Sequence, residues 1–242
     1  MQDFPSQSPA QSRFTRCHLS CLNSTDWGEF VNIGLIGSGK VGKALGAWIA
    51  KCGFPVAFAS RKKEDARAAA SAAAPRARAL DIRSVVRESD LILLTLPYEE
   101  IVGALKPVEH GLEDKILVDV SNPVSKDRSS LIVGQSTAGA EEISSHFPMA
   151  RTVKAFNTVF AEVYAKQQPQ INDHPISIFF AGDDTDAKSS VRELIERMGF
   201  DAVDAGPLRN ARCLEPLSLL NIQLGRKLGL GTNIGFRLLR PR

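Results

Sequence analysis

A doubly wound α/β fold around a parallel sheet is what the sequence predicts, on three observations. Short apolar runs recur with helical stretches between them, the pattern of strands buried on both faces and joined by right-handed crossovers. The first run, "IGLI", leads into Gly37-Ser38-Gly39-Lys40-Val41-Gly42, a G-x-G-x-x-G between a strand and an amphipathic helix. Two later runs stop at proline, in "TLP" and "SNP", where strands give way to loops.

Taken in order, the pattern predicts strands over residues 33–36, 56–59, 77–80, 91–96 and 116–120, with helices over 40–51 and 64–74. Beyond Ser121 a helix is expected over 137–147, a sixth strand in "TVKAF" and a seventh in "ISIFFAG". A helix over 183–198, an eighth strand in "DAVDAG" and a closing helix over 211–227 follow, then the glycine-rich "LGLGTNIGF". The expected organisation is a nucleotide-binding domain over 31–150 and a small C-terminal α/β lobe over 151–242, continuous with the same sheet.

Composition narrows the function. With 242 residues, 43% hydrophobic and 24% charged, the chain can bury a sizeable core, and its net charge of only +3 argues against a dedicated nucleic-acid binder. No uninterrupted apolar run approaches the length of a membrane span. Four scattered cysteines fit a reduced, cytoplasmic protein. Residues 1–30 are rich in Ser and Gln and read as a disordered extension or the product of a misplaced start; only Arg13 and Arg16 speak for a transit peptide. Within them Cys17-His18-x-x-Cys21 lacks the further soft ligands a structural zinc needs, and no metal site is expected.

The glycine motif points to a bound dinucleotide and so to the NAD(P)-binding Rossmann fold. Gly37 would allow the tight turn, Gly39 the close approach of a pyrophosphate and Gly42 close helix-to-strand packing, while the helix N-terminus offers N–H donors to phosphate. About 20 residues on, such folds place a carboxylate that binds the ribose 2′-hydroxyl. Here that place holds Ser60-Arg61-Lys62-Lys63. A hydroxyl and a guanidinium fork suit a 2′-phosphate, so NADP(H) is expected over NAD(H).

Three loops at the predicted strand ends, Thr95-Leu96-Pro97-Tyr98, Ser121-Asn122-Pro123 and Ala155-Phe156-Asn157-Thr158, are expected near the nicotinamide. They hold no Cys, no His and no paired carboxylates, and neither Tyr98 nor Tyr164 is followed four residues on by Lys. His110, His146 and His174 read as surface residues. With no evident proton donor for carbonyl reduction, the expectation is hydride transfer between two bound coenzymes, where the rings carry the chemistry and the protein aligns them. A non-catalytic NADPH-binding module that senses redox state or docks on a partner is the alternative. A small-substrate dehydrogenase ranks last, because the residues after Gly206 leave no room for its usual helical domain.

The segments "IGLIGSGKVGKALG", "ASRKKEDA", "LILLTLPYEEI", "KILVDVSNPVS", "VKAFNTV", "AGDDTDAK", "DAGPLRNAR" and "LGLGTNIGFRLL" resemble, in that order, NADPH-dependent reductases of the deazaflavin coenzyme F420. They are similar as well to the oxidoreductase domain of six-transmembrane metalloreductases. The resemblance implies that Ser38 to Val41 wrap the pyrophosphate and that Ser60 and Arg61 hold the 2′-phosphate. Leu96 and Pro97 would flank the coenzyme, with Ser121, Asn122, Ala155, Phe156 and Asn157 near the nicotinamide. F420, or FMN or FAD, would be the second redox partner, stacked under "GLGTNIGF", in a homodimer. "DVSNP" and "VKAFN" look closer to the metalloreductase domain, whose acceptor is a flavin. Where a further lysine is expected for the phosphate, this chain has Asp65.

Overall fold

The computed structural model describes residues 31–73, 75–134 and 136–241. Residues 1–30, read as a disordered extension, and their Cys-His-x-x-Cys pattern lie outside the described residues. Strands β1 (Ile33–Ile36), β2 (Val56–Ala59), β3 (Ala77–Ala79), β4 (Leu91–Leu94), β5 (Ile116–Asp119) and β6 (Arg151–Lys154) come first. Between them run helices α1 (Lys40–Lys51), α2 (Lys63–Ala72), α3 (Ile82–Glu88), α4 (Tyr98–Leu105) and α5 (Gly139–His146). The chain continues through α6 (Ala161–Lys166), a small hairpin of β7 (Gln170–Ile171) and β8 (His174–Pro175), then β9 (Ser177–Gly182), α7 (Thr185–Arg197), β10 (Asp201–Asp204) and α8 (Ala211–Ile222).

The main sheet has eight strands in the order β10-β9-β6-β5-β4-β1-β2-β3. From β1 the chain winds outward to β3, then returns to β4 and winds the other way to β6, so the order reverses between β1 and β4. Ligands of open α/β sheets bind at such a switch point, beyond the carboxyl ends of the strands. Every residue of β1, β2, β4 and β5 is buried, because helices cover both faces. Leu45, Trp48 and Ile49 of α1 pack on one face with Tyr164 of α6 and Leu194 of α7. On the other face lie Val85 of α3, Ile101 and Leu105 of α4, and Ile143 of α5. Side-chain caps mark two helix starts: Asp81 accepts from Ser84 N (2.8 Å) and Asp184 from Ala187 N (2.7 Å).

The sheet departs from the expected all-parallel arrangement at β9. This strand enters beyond the carboxyl end of β6 and runs antiparallel to it, meeting it only through Val153↔Gly182 and Lys154↔Ala181. Helix α6 has six residues, about 9 Å of rise, which is shorter than the helix of an ordinary crossover. Helix α7 is a full crossover, and β10 pairs parallel with β9. The closing helix runs over the expected residues 211–227, but only α8, to Ile222, is α-helical, and it widens into a π turn over Gln223–Lys227. The tail then folds back along β9, where Ser177 N donates to Phe236 O (2.8 Å) and Arg240 pairs with Asp201 (2.6 Å). Arg237 contacts the exposed His174. Among the described residues no helix is long and apolar enough to cross a membrane.

Candidate functional site

The glycine loop leaves β1 with Gly37 at φ +112°, a conformation that a residue with a Cβ adopts only under strain. Gly37 N donates to Ala59 O (2.9 Å), and the Thr95 hydroxyl donates back to Gly37 O (2.7 Å). Thr95 is therefore a brace of the loop. A Cβ on Gly42 would lie 2.1 Å from Gly37 O, so only glycine lets α1 start this close to β1. Gly39 is different: a Cβ there would meet nothing within 4 Å. Its missing side chain leaves open space in front of α1, whose first turn has no side-chain cap. Beside that space the Ser38 hydroxyl is buried without a hydrogen-bond partner. Lys40 is exposed and Val41 half-buried against the core.

Next to the loop opens a cavity of about 310 Å³ lined by Ser38, Gly39, Ser60, Arg61 and Lys62, with Leu96 and Pro97 on the facing wall. The residues expected at the pyrophosphate and at the 2′-phosphate thus share one cleft. It also contains two carboxylates, Asp65 and Glu100. Arg61 is largely exposed, and its Nη1 lies 3.5 Å from Glu100 Oε2. The expected excess of cations is balanced by these acids. Two larger depressions, of about 610 and 590 Å³, lie over α2 and between α1 and α6 and are lined largely by alanine.

The second group of expected residues follows β5 and β6. Because β2, β1, β4, β5 and β6 are adjacent and parallel, all these loops emerge at one edge. Asn122 and Asn157 interlock: each side-chain amide donates across the gap, Asn122 Nδ2 to Asn157 O (3.1 Å) and Asn157 Nδ2 to Asn122 Oδ1 (3.0 Å). Helix α8 clamps the same loop, Ser218 Oγ donating to Asn157 O (2.8 Å) and Asn221 Nδ2 to Thr158 O (2.9 Å). Asn157 Oδ1 and the Thr158 hydroxyl stay without partners. Ala155 and Phe156 are buried with their side chains in the core, and Phe156 sits at φ +63° with its carbonyl accepting from Tyr164 Oη (2.8 Å). Only their backbone could meet a ligand.

Beneath these loops lies a buried ionic cluster that sequence reading missed. Lys154 Nζ donates to Asp119 Oδ2 (2.7 Å), Ser121 O (2.7 Å) and Glu215 Oε1 (2.9 Å), using all three of its protons. Asp119 Oδ1 also accepts from Ser121 N and Oγ, and Glu215 caps α5 by accepting from Gly139 N and Ala140 N. Burial alone would depress the Lys154 pKa, but Asp119 and Glu215 outweigh it and hold the ammonium protonated. Its available signal was a charged residue at the end of each of two buried strands, "ILVD" and "RTVK", which must find a partner when buried. Nearby Tyr98 is bonded to Glu142, and burial first, then that carboxylate, raises its pKa, which makes it a poor proton donor at neutral pH.

The cleft fits a dinucleotide: an unpartnered hydroxyl, an uncapped helix start, an open cradle at Gly39 and an Arg at the far end. Residues 32–123 match the family described as NADP oxidoreductase, coenzyme F420-dependent. The chain as a whole is similar to the F420-dependent NADP reductase of Methanocaldococcus jannaschii, 27% identical over 205 residues, covering 79% of this chain and 90% of the relative. Metalloreductase STEAP3 of Rattus norvegicus is 30% identical over 194 residues, covering 79% of this chain, which spans only 38% of that relative's length. A solved structure from Arthrobacter sp., described as a candidate F420-dependent NADP reductase, superposes with a TM-score of 0.78 at 25% identity, covering 87% of this chain and all of the other. An imine reductase from Bacillus cereus, at 18% identity and a TM-score of 0.61, shares the fold. The chain has the Rossmann architecture of NAD(P)-binding proteins.

Proposed function

We propose that the protein transfers a hydride between NADP(H) and a second coenzyme ring, a deazaflavin of the F420 type or a flavin. The observation that carries this reading is the cleft of Ser38, Gly39, Ser60 and Arg61, at the same end of the sheet as loops whose polar side chains bond to one another and to backbone. When bound, NADPH supplies the hydride from nicotinamide C4, and solvent supplies the proton that completes reduction of the acceptor. Ser38 and the first N–H groups of α1 bind the pyrophosphate, Lys40 adding positive charge and Val41 seating the turn. Ser60, Arg61 and Lys62 bind the 2′-phosphate. Leu96 and Pro97 form the apolar wall along the dinucleotide, and the Ser121-Asn122 and Asn157 loops fix the plane on which the nicotinamide rests. These loops would align the two rings, and that alignment, rather than a protein acid or base, would supply the rate.

The reading is tested by mixing the protein with NADPH and, in turn, F420, FMN, FAD and a ferric chelate, following the nicotinamide absorbance. Turnover is expected with a deazaflavin or flavin. Tight NADPH binding with no turnover on any of them would transfer the protein to the class of sensing or docking modules.

The Gly39 cradle gives a second test. Gly39→Ala is expected to cost about 1 kcal/mol at most as a lost helix cap, a few degrees of Tm. NADPH affinity should fall by roughly tenfold or more, because the new methyl stands where charge-assisted contacts to phosphate form. Unchanged affinity in a calorimetric titration would remove the pyrophosphate from this position.

A further inference from the structure

The adenosine end of the cleft is not a plain basic pocket. Arg61 and Lys62 line it together with Asp65 and Glu100, so the formal charges of these four side chains cancel. Asp65 is turned partly toward Lys43, whose Nζ lies 4.0 Å away on α1. Glu100 is turned toward Arg61. It comes from the first turn of α4, across the cavity from the end of β2, where Ser60 stands in place of the usual ribose-binding carboxylate.

We propose that Glu100 is a specificity-determining residue that limits how strongly the cleft prefers NADP(H) to NAD(H). The inference rests on the reading of this cleft as the dinucleotide site. Two effects of the carboxylate act in the same direction. A 2′-phosphate must draw Arg61 away from Glu100 and then lie close to a like charge, so Glu100 weakens binding of the phosphorylated coenzyme. An unphosphorylated ribose presents a 2′-hydroxyl donor, and Glu100 offers the acceptor that the end of β2 lacks. The acid is displaced from its usual strand to the facing helix, and the pocket retains a binding mode for both dinucleotides. The half-exposed position of Glu100, away from the core, lets its charge be removed without disturbing the fold.

The test is fluorescence titration of the full chain with NADPH and NADH, for wild type, Glu100→Gln, Glu100→Ala, Arg61→Ala and Arg61→Ala/Glu100→Gln, with Tm recorded for each. No acceptor is needed, so the result is independent of which ring receives the hydride. The ratio Kd(NADH)/Kd(NADPH) is expected to rise by roughly threefold to tenfold in both Glu100 single variants, the scale of one screened charge contact. The gain in NADPH affinity should shrink in the Arg61→Ala background, because the competition for the guanidinium is already gone. A ratio that is unchanged or lower in the Glu100 single variants overturns the assignment of Glu100, while NADPH binding by wild type leaves the cleft reading standing. A wild-type chain that binds neither dinucleotide overturns both.

Discussion

Lys154→Met is expected to destabilise the protein by about 3–5 kcal/mol, the cost of removing the one cation from a buried ion cluster. Asp119 and Glu215 would then face each other, both fully covered, with no ammonium between them. For a chain of this size that corresponds to a fall in Tm of roughly 6–20 °C, read by circular dichroism. Replacing all three charges together, Asp119→Asn, Lys154→Met and Glu215→Gln, should recover much of the loss, because the penalty lies in the unpaired charges. A loss below about 1 kcal/mol in the single variant would show that the cluster is not a structural keystone. The pH dependence has a definite sign. The folded pKa of Lys154 is raised, so its contribution is complete below the unfolded value of about 10.4 and is lost only as pH climbs through the higher folded value. This lysine leaves the stability profile flat through the neutral range.

Arg61→Ala should separate the two dinucleotides. Loss of a hydrogen bond to a charged phosphate is worth about 1.5–3 kcal/mol, so the KM for NADPH should rise by roughly tenfold to a hundredfold. The KM for NADH should change by less than about threefold, since an exposed guanidinium has little else to lose there. Steady-state kinetics with each coenzyme and a common acceptor decides it. Equal losses for both would detach Arg61 from the 2′-phosphate, and with it the coenzyme assignment at this end of the cleft.

The parts of the fold that were legible in the sequence are those written in local pattern. The first two strands and the helix between them fall at the expected residues, because "IGLI", "VAFA" and the stretch 40–51 combine clear periodicity with a glycine boundary. Strand β4 ends at Leu94, short of the expected 96, because Thr95 turns its hydroxyl toward the glycine loop. Helices α3 and α6 have seven and six residues, too few for a helical period to stand out. The direction of β9 was hidden for another reason: "ISIFFAG" reads the same whether its neighbour runs parallel or not.

The site divides along the same line. The glycine loop and Ser60-Arg61-Lys62 are contiguous motifs, and one cleft gathers them. The Asp119–Lys154–Glu215 cluster joins residues 35 and 61 apart in sequence, and nothing local in "LEPLS" announces a buried carboxylate. Glu100 was concealed differently, since an acid in a first helical turn is the ordinary complement of a helix dipole. Its second role comes from Arg61, which the fold alone brings within reach, where the loop after β2 meets the first turn of α4.

The folded-back tail has a bearing on solubility. Over residues 177–180, β9 has β10 on one side, while its junction with β6 involves only Ala181 and Gly182 on the other. A bare strand margin of this kind invites edge-to-edge pairing with another molecule and the growth of aggregates. Residues 236–238 shield that margin, through Phe236 O and Leu238 N at Ser177. Residues 236–238 thereby occupy backbone that another strand would need for pairing at that point.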